Sequence, residues 1–231
     1  MTNANSHQTE KYYDKLAGVY DWATEKGCWT PPDVVADLLS GVLKDGDDVI
    51  DIGIGTGQSI AAAVESGKCS RIVGVDLSAE MLAHCSKKYP NVQLHQGDIY
   101  SFAKDAKPQF DVVICCGMFE FVSNSQEFLK AVNRISKSTA SIILTYEPLV
   151  LFHELQSEAK SATSPSNASW AVDGFTTYRH SPTDISRMLK IARLRILKDV
   201  EFVSYRKVVE LPEDTRTVNV IYHGLLVGKI S

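Results

Sequence analysis

Residues 49–59 read Val-Ile-Asp-Ile-Gly-Ile-Gly-Thr-Gly-Gln-Ser. A short apolar run ending at Ile52 meets glycines at every second position, Gly53, Gly55 and Gly57, and a helical pattern near 57–66 follows. Glycines at the end of a buried strand permit positive φ and let a ligand approach the backbone closely. The helix behind them offers unpaired N–H groups. A tight strand-to-helix turn with no ligand is the plain alternative. Dinucleotide binding would place the third glycine three residues after the second; here that position is Gln58, and the glycine stands at 57. Asp51, two residues before the first glycine, sits badly beside a pyrophosphate and suits a cationic ligand better.

Outward from this loop, strand-like runs at 48–52, 71–75, 91–95, 110–116 and 139–145 alternate with helical patterns near 57–66, 79–88 and 123–136. The alternation predicts an α/β fold, a doubly wound and mostly parallel sheet with helices on both faces. Such a sheet binds ligands at the carboxyl ends of its strands, where strand order reverses. A helix is expected over 31–43, capped by Thr30 and led by Pro31. Ser123-Asn-Ser-Gln126 has the spacing of a capping box. After Thr145 the pattern breaks, and 146–180, with a Ser-rich piece at 157–169, reads as a lid or insert. A helix at 182–192 capped by Ser181 and strands about 195–205 and 216–227 close the chain, with Gly224 marking a bulge.

Composition narrows the function. A length of 231 residues predicts one domain. Lys and Arg number 24 against 28 Asp and Glu, so the net charge is −4, which argues against a grip on nucleic-acid backbones. No apolar run approaches the ~18 residues of a membrane span, and the opening residues are too polar for a secretory signal. The cysteines at 28, 69, 85, 115 and 116 show no CxxC and no Cys/His ligand spacing. A reducing cytoplasm and no bound metal are the expectation.

Three acids give the loop company. The second strand ends at Asp76, where a carboxylate can accept from both hydroxyls of a ribose. The third is followed by Gln96-Gly97-Asp98-Ile99; Asp98 can accept from an adenine amine while Ile99 covers one ring face and Met81 the other. Each acid alone reads equally as a helix cap or a solvated loop charge. With these residues in view, the stretch from about 12 to 145 resembles the class I S-adenosylmethionine-dependent methyltransferases of small-molecule type. VIDIGIGTGQS looks like the family's glycine-rich motif, VGVDLSAEML like its ribose-binding stretch, QGDIYSF like its adenine-binding stretch, and FDVVICCGMFEFV like the fourth strand with its loop. YYDKLAGVYDWA is similar to the N-terminal segment whose aromatics close over the cofactor.

The resemblance implies a seven-stranded sheet with one antiparallel strand, S-adenosyl-L-methionine as cofactor and S-adenosyl-L-homocysteine as product. It implies cofactor contacts for Tyr13, Tyr20, Asp51, Gly53, Ile54, Gly55, Gly57, Asp76, Leu77, Met81, Asp98, Ile99 and Cys115. A single domain is expected: an N-terminal helical cap (1–45), a cofactor-binding core (46–145), a lid (146–180), and a C-terminal helix with closing strands (181–231). An NAD-dependent oxidoreductase, a non-catalytic cofactor-binding module and a macromolecular acceptor are the rivals.

The acceptor is less legible. Methyl transfer is an in-line displacement in which alignment supplies much of the rate, and a base is needed only for a protonated nucleophile. Cys116-Gly117-Met118-Phe119 follows the fourth strand, where a DNA amino-methyltransferase would carry Asn/Asp-Pro-Pro-aromatic. Glu120 stands alone, where protein arginine methyltransferases carry two glutamates. A small organic acceptor, and neither nucleic acid nor membrane, is the default expectation. Glu120 lies next to the strand ends that face a substrate. Tyr146, Glu147, His153 and His180 are the candidate catalytic residues, and Glu147 equally fits a helix cap. Arg179 can hold an acidic substrate or be a solvated lid residue. Cys115 and Cys116, adjacent on a strand, point to opposite faces.

Overall fold

The computed structural model describes residues 4–104, 106–149, 167–172, 175–211 and 214–230. Strand β1 (Asp48–Ile52) lies between β2 (Arg71–Asp76) and β4 (Phe110–Cys115) and runs parallel to both. β3 (Gln93–Gln96) extends one side and β5 (Ser136–Tyr146) the other, also in parallel. The long strands β8 (Leu194–Leu211) and β9 (Asp214–Lys229) complete a seven-stranded sheet in the order β3-β2-β1-β4-β5-β9-β8. β9 is antiparallel to both neighbours. β6 (Asn167–Val172) and β7 (Phe175–His180) pair separately as a hairpin. From β1 the chain builds outward to β3, then crosses back to β4. Strand order therefore reverses between β1 and β4, and a crevice opens there at the carboxyl ends.

Alternation along the strands fills two layers. Ile50, Ile52, Val113 and Cys115 belong to one core, with α6 (Ile99–Ala103), α7 (Ser125–Ile135) and α8 (Pro182–Ile191). Val49, Val112, Ile114 and Cys116 belong to the other, with α3 (Pro31–Ser40), α4 (Ala61–Ser66) and α5 (Ala79–Lys88). A strand covered on both faces must be apolar at successive positions, which is why these runs stand out in the sequence. α7 puts Phe128, Leu129, Val132 and Ile135 on one buried face; truncating Leu129 to alanine costs about 2–5 kcal/mol. α1 (Ala4–Leu16) and α2 (Tyr20–Lys26), joined by a single turn, reach α5, and α1 also reaches β7.

Several local expectations are corrected. Helix α3 ends at Ser40 rather than 43, and Thr30 does not cap it: the Thr30 hydroxyl donates to the carbonyl of Val203 at 2.8 Å. Pro31 and Pro32 lack N–H groups, so the first turn has fewer donors to satisfy. α4 starts at Ala61 because residues 53–60 are spent on the loop. Asn124, not Ser123, caps α7 by accepting from Glu127 N–H at 3.2 Å. Gly224 marks no bulge; the register shifts lie in β8, between Ile196 and Lys198 and between Val203 and Tyr205. A Cβ on Gly224 would stand 2.8 Å from Val34 Cγ1, so the glycine lets α3 lie close on the sheet. The cap expected at Ser181 is present, accepting from Asp184 N–H at 3.1 Å. Among the described residues no helix is long and apolar enough to cross a membrane.

Candidate active site

The glycine loop takes its shape from backbone needs. Gly53 has φ +76°, a conformation that costs an L-residue roughly 1–2 kcal/mol. A Cβ there would stand 2.8 Å from Met118 Cβ, so the position is both strained and filled. Its N–H donates to the Val75 carbonyl at 2.7 Å, which ties the loop to β2. Gly55, at φ +54°, faces open space: nothing lies within 4 Å of where its Cβ would be. The Gly55 N–H donates to Asp76 Oδ2 at 2.8 Å, and Ser78 N–H donates to Asp76 Oδ1 at 2.9 Å. Asp76 thus clamps the loop from the end of β2. Burial pushes its pKa up against these backbone donors, which pull it down.

Above the loop lies a cleft of about 1010 Å³ measured out to its open mouth. Of the residues expected there, Tyr13, Tyr20, Gly53, Gly55, Asp76, Leu77, Met81, Asp98 and Ile99 line it. Tyr13 packs edge-on against Tyr20 and Phe121, with centroids 6.1 and 5.6 Å apart, so both N-terminal helices reach the cleft. Asp98 is also a helix cap, Oδ1 accepting from Ser101 N–H at 2.7 Å. Ser78 holds Met81 by accepting its N–H at 3.1 Å and donates to Asp14 at 2.6 Å. Glu10, Asp76 and Asp98 line the cleft, and no lysine or arginine does among the described residues.

Four expected contacts are placed elsewhere. Ile54 is buried against the sheet, where Gly74 leaves it room. Gly57 is pressed on by Tyr89; a Cβ there would lie 2.9 Å from its ring. Cys115 faces the core, and its neighbour Cys116 takes the wall position instead, as alternation along β4 requires. Asp51 lies off the cleft wall and is fully buried. One of its oxygens accepts from the Ser59 hydroxyl, and Oδ1 has no partner among the described residues. Burial raises its pKa to about 8, opposed by the Ser59 bond.

The catalytic candidates spread out. Tyr146 is buried in the core, its ring stacked on His223 with centroids 5.3 Å apart. His180 is buried with Nε2 2.8 Å from Ser125 Oγ and its ring beside Phe119. Burial lowers its pKa. His153 lies outside the described residues. Glu147 is buried and ion-paired with Arg179, and its N–H donates to Glu120 Oε1 at 2.5 Å. Arg179 is accordingly a partner of Glu147, not a solvated lid residue.

Sequence reading did not find the cleft residues Ser6, Thr9, Gly97, Tyr100 and Phe121. It also missed Asp21, which accepts from Thr56 Oγ1, Gln58 Nε2 and Lys88 Nζ at 2.5, 2.8 and 2.8 Å. Burial pushes the Asp21 pKa up, but these three donors together bring it below the usual value. This carboxylate fastens α2 to the glycine loop. Its partners lie 35, 37 and 67 residues away, so no local pattern announces it.

Residues 49–139 match the family model described as a methyltransferase domain. A trans-aconitate 2-methyltransferase of Azoarcus sp. (strain BH72) is 44% identical over 71 residues, 30% of this chain and 28% of that protein. An uncharacterised methyltransferase-like protein of Schizosaccharomyces pombe is 25% identical over 211 residues, 86% of this chain and 74% of that one. The chain thus spans well under two thirds of the first relative and about three quarters of the second. A crystal structure from Burkholderia thailandensis, 1,6-didemethyltoxoflavin-N1-methyltransferase with bound 1,6-didemethyltoxoflavin and S-adenosylhomocysteine, shares the fold. Its TM-score is 0.62 at 15% identity, over 100% of this chain and 93% of that chain.

Proposed function

From the methyltransferase-domain match over residues 49–139 and the cleft described above, we propose that the chain is an S-adenosylmethionine-dependent methyltransferase that binds S-adenosyl-L-methionine in this cleft and methylates an O, N or C nucleophile of a small organic molecule. The observation that carries the reading is the charge of the cleft. Three carboxylates and no cation among its described residues suit a ligand with an ammonium and a sulfonium, and disfavour a pyrophosphate. The residues fit that ligand in detail. Asp76, held by the Gly55 and Ser78 N–H groups at the end of β2, stands at the cleft wall where its carboxylate can also accept from ribose hydroxyls. Asp98, Ile99 and Met81 offer an acceptor and two apolar faces for adenine. The open space at Gly55 leaves room for the methionine end.

The bound cofactor supplies an electrophilic methyl group. The protein's part is to hold cofactor and acceptor in line and keep water out, which Tyr13, Tyr20 and Phe121 support by lining the cleft with packed aromatic surface. Asp21 helps by holding α2 on the loop. Most of the expected lid, residues 150–166, lies outside the described residues; the described ends of 146–180 are joined by the Arg179–Glu147 pair and by Leu149 N–H donating to the His180 carbonyl at 3.0 Å. The experiment is incubation with S-adenosylmethionine and a small-molecule acceptor panel, reading by mass spectrometry the S-adenosylhomocysteine formed and the acceptor that gained one methylene. Methylated product is expected. Cofactor binding without turnover on any acceptor would favour a non-catalytic binding module.

A further inference from the structure

Glu120 sits in a single 3₁₀ turn (Phe119–Phe121) after β4, between Met118 and Phe121, which both line the cleft. It is only 3% exposed. Its Oε1 accepts the Glu147 N–H and so joins the end of β4 to the end of β5. Its Oε2 is buried and has no hydrogen-bond partner among the described residues. A buried oxygen left unsatisfied is costly, and more so when the carboxyl is charged. Among the described residues the one cation acting on Glu120 is Arg179, and it is committed: it binds Glu147 and donates to Thr177 Oγ1 at 2.6 Å.

Resting on the methyltransferase reading above, we propose that Glu120 Oε2 accepts a hydrogen bond, and then the proton, from the methyl acceptor. The acceptor is therefore a neutral amine or hydroxyl compound and not a carboxylate. In the step, the lone pair of the acceptor nitrogen or oxygen forms a bond to the methyl carbon. The carbon–sulfur bond of the sulfonium cofactor breaks with its pair going to sulfur. The proton shed by the acceptor goes to Glu120, and charge and atoms balance. A carboxylate acceptor would enter beside Glu120 and Glu147, where among the described residues Arg179 is already paired with Glu147, so this site disfavours it.

Among the described residues, six titratable groups act electrostatically with Glu120: Glu147 just after β5, Arg179 from β7, Tyr205 from β8, Tyr222 from β9, Tyr13 from α1 and Cys116 just after β4. Burial pushes its pKa upward most, the backbone donors and Arg179 pull it down, Glu147 raises it, and the balance is about 7. A base poised near neutrality is the kind that moves protons efficiently.

The alternative is that Glu120 merely ties two strand ends together, and Glu120→Gln separates the two roles because its amide oxygen still accepts the Glu147 N–H. The expected result with the variant is S-adenosylhomocysteine affinity within ~2-fold of the native protein. Turnover of the best amine or hydroxyl acceptor falls ~100-fold or more. The rising limb of kcat/KM near pH 7, expected for the native enzyme, is absent. The panel carries amines, alcohols, phenols and carboxylates including trans-aconitate. Turnover confined to carboxylates, turnover of no amine or hydroxyl compound, or a variant as fast as the native enzyme would overturn the assignment. Failure of the native protein to bind S-adenosylhomocysteine would instead defeat the underlying methyltransferase reading.

Discussion

Replacing Asp76 by alanine tests the cofactor geometry at its strongest point. The carboxylate makes two backbone hydrogen bonds that shape the loop, to Gly55 and Ser78, and in the proposed complex two more with the ribose hydroxyls. Hydrogen bonds to a charged group contribute about 1.5–3 kcal/mol each, so losing the two ribose bonds costs about 3–6 kcal/mol. At 1.4 kcal/mol per tenfold, the dissociation constant of S-adenosylhomocysteine rises by ~100-fold or more. Without ligand the effect is small, because the cost of two orphaned N–H groups is set against relief from burying a carboxyl group. The ligand-free melting temperature is expected within ~4 °C of native, where 1 kcal/mol corresponds to ~2–4 °C for a chain of this size. Isothermal calorimetry gives the affinity, and circular dichroism with a thermal melt gives the fold. A folded Asp76→Ala protein binding S-adenosylhomocysteine within ~3-fold of native would refute the reasoning.

Asp51 carries a pH signature. Its folded pKa of about 8 lies above its unfolded value of ~3.9, so the folded state binds the extra proton between them. The stability this gives is full below ~pH 4 and is lost as pH rises toward 8. Asp51→Asn should flatten that fall, so its melting temperature gains on native more at pH 8 than at pH 5; parallel curves would contradict the burial argument. Gly53→Ala must adopt φ +76° and meet Met118, so it should lower both melting temperature and S-adenosylhomocysteine affinity, and a neutral variant would show that the loop relaxes freely. Removing one partner of the buried Arg179–Glu147 pair, by Arg179→Met or Glu147→Gln, should cost about 3–5 kcal/mol in denaturant unfolding. The double variant should cost less than the two together by more than ~1 kcal/mol; strict additivity would mean the pair is not coupled.

Much of the fold could be read locally because its determinants are local. The β1 range of 48–52 and the α5 range of 79–88 match their expected bounds, since strand runs buried on both faces and a Ser-capped amphipathic helix carry their own boundaries. What escaped depends on distant partners. Thr30 reads as a cap until β8 offers it a carbonyl 173 residues away. Gly224 reads as a bulge until α3 packs on it. Glu120 and Glu147 look unrelated along the chain, yet the parallel pairing of β4 and β5 brings their ends together. The acids at strand ends were legible because topology fixes where a parallel strand stops. On α1, Tyr13 was reached through the family resemblance, but Ser6, Thr9 and Glu10 were not, because a polar helix says nothing of what it covers.

Calorimetric titration of the native protein with S-adenosylmethionine, S-adenosylhomocysteine and NAD in parallel tests the central claim most directly. The cleft described here predicts saturable binding of both adenosyl compounds and none of NAD. Binding of NAD with neither adenosyl compound would contradict it, and would mean that a carboxylate-lined loop with a shifted third glycine accommodates a pyrophosphate after all.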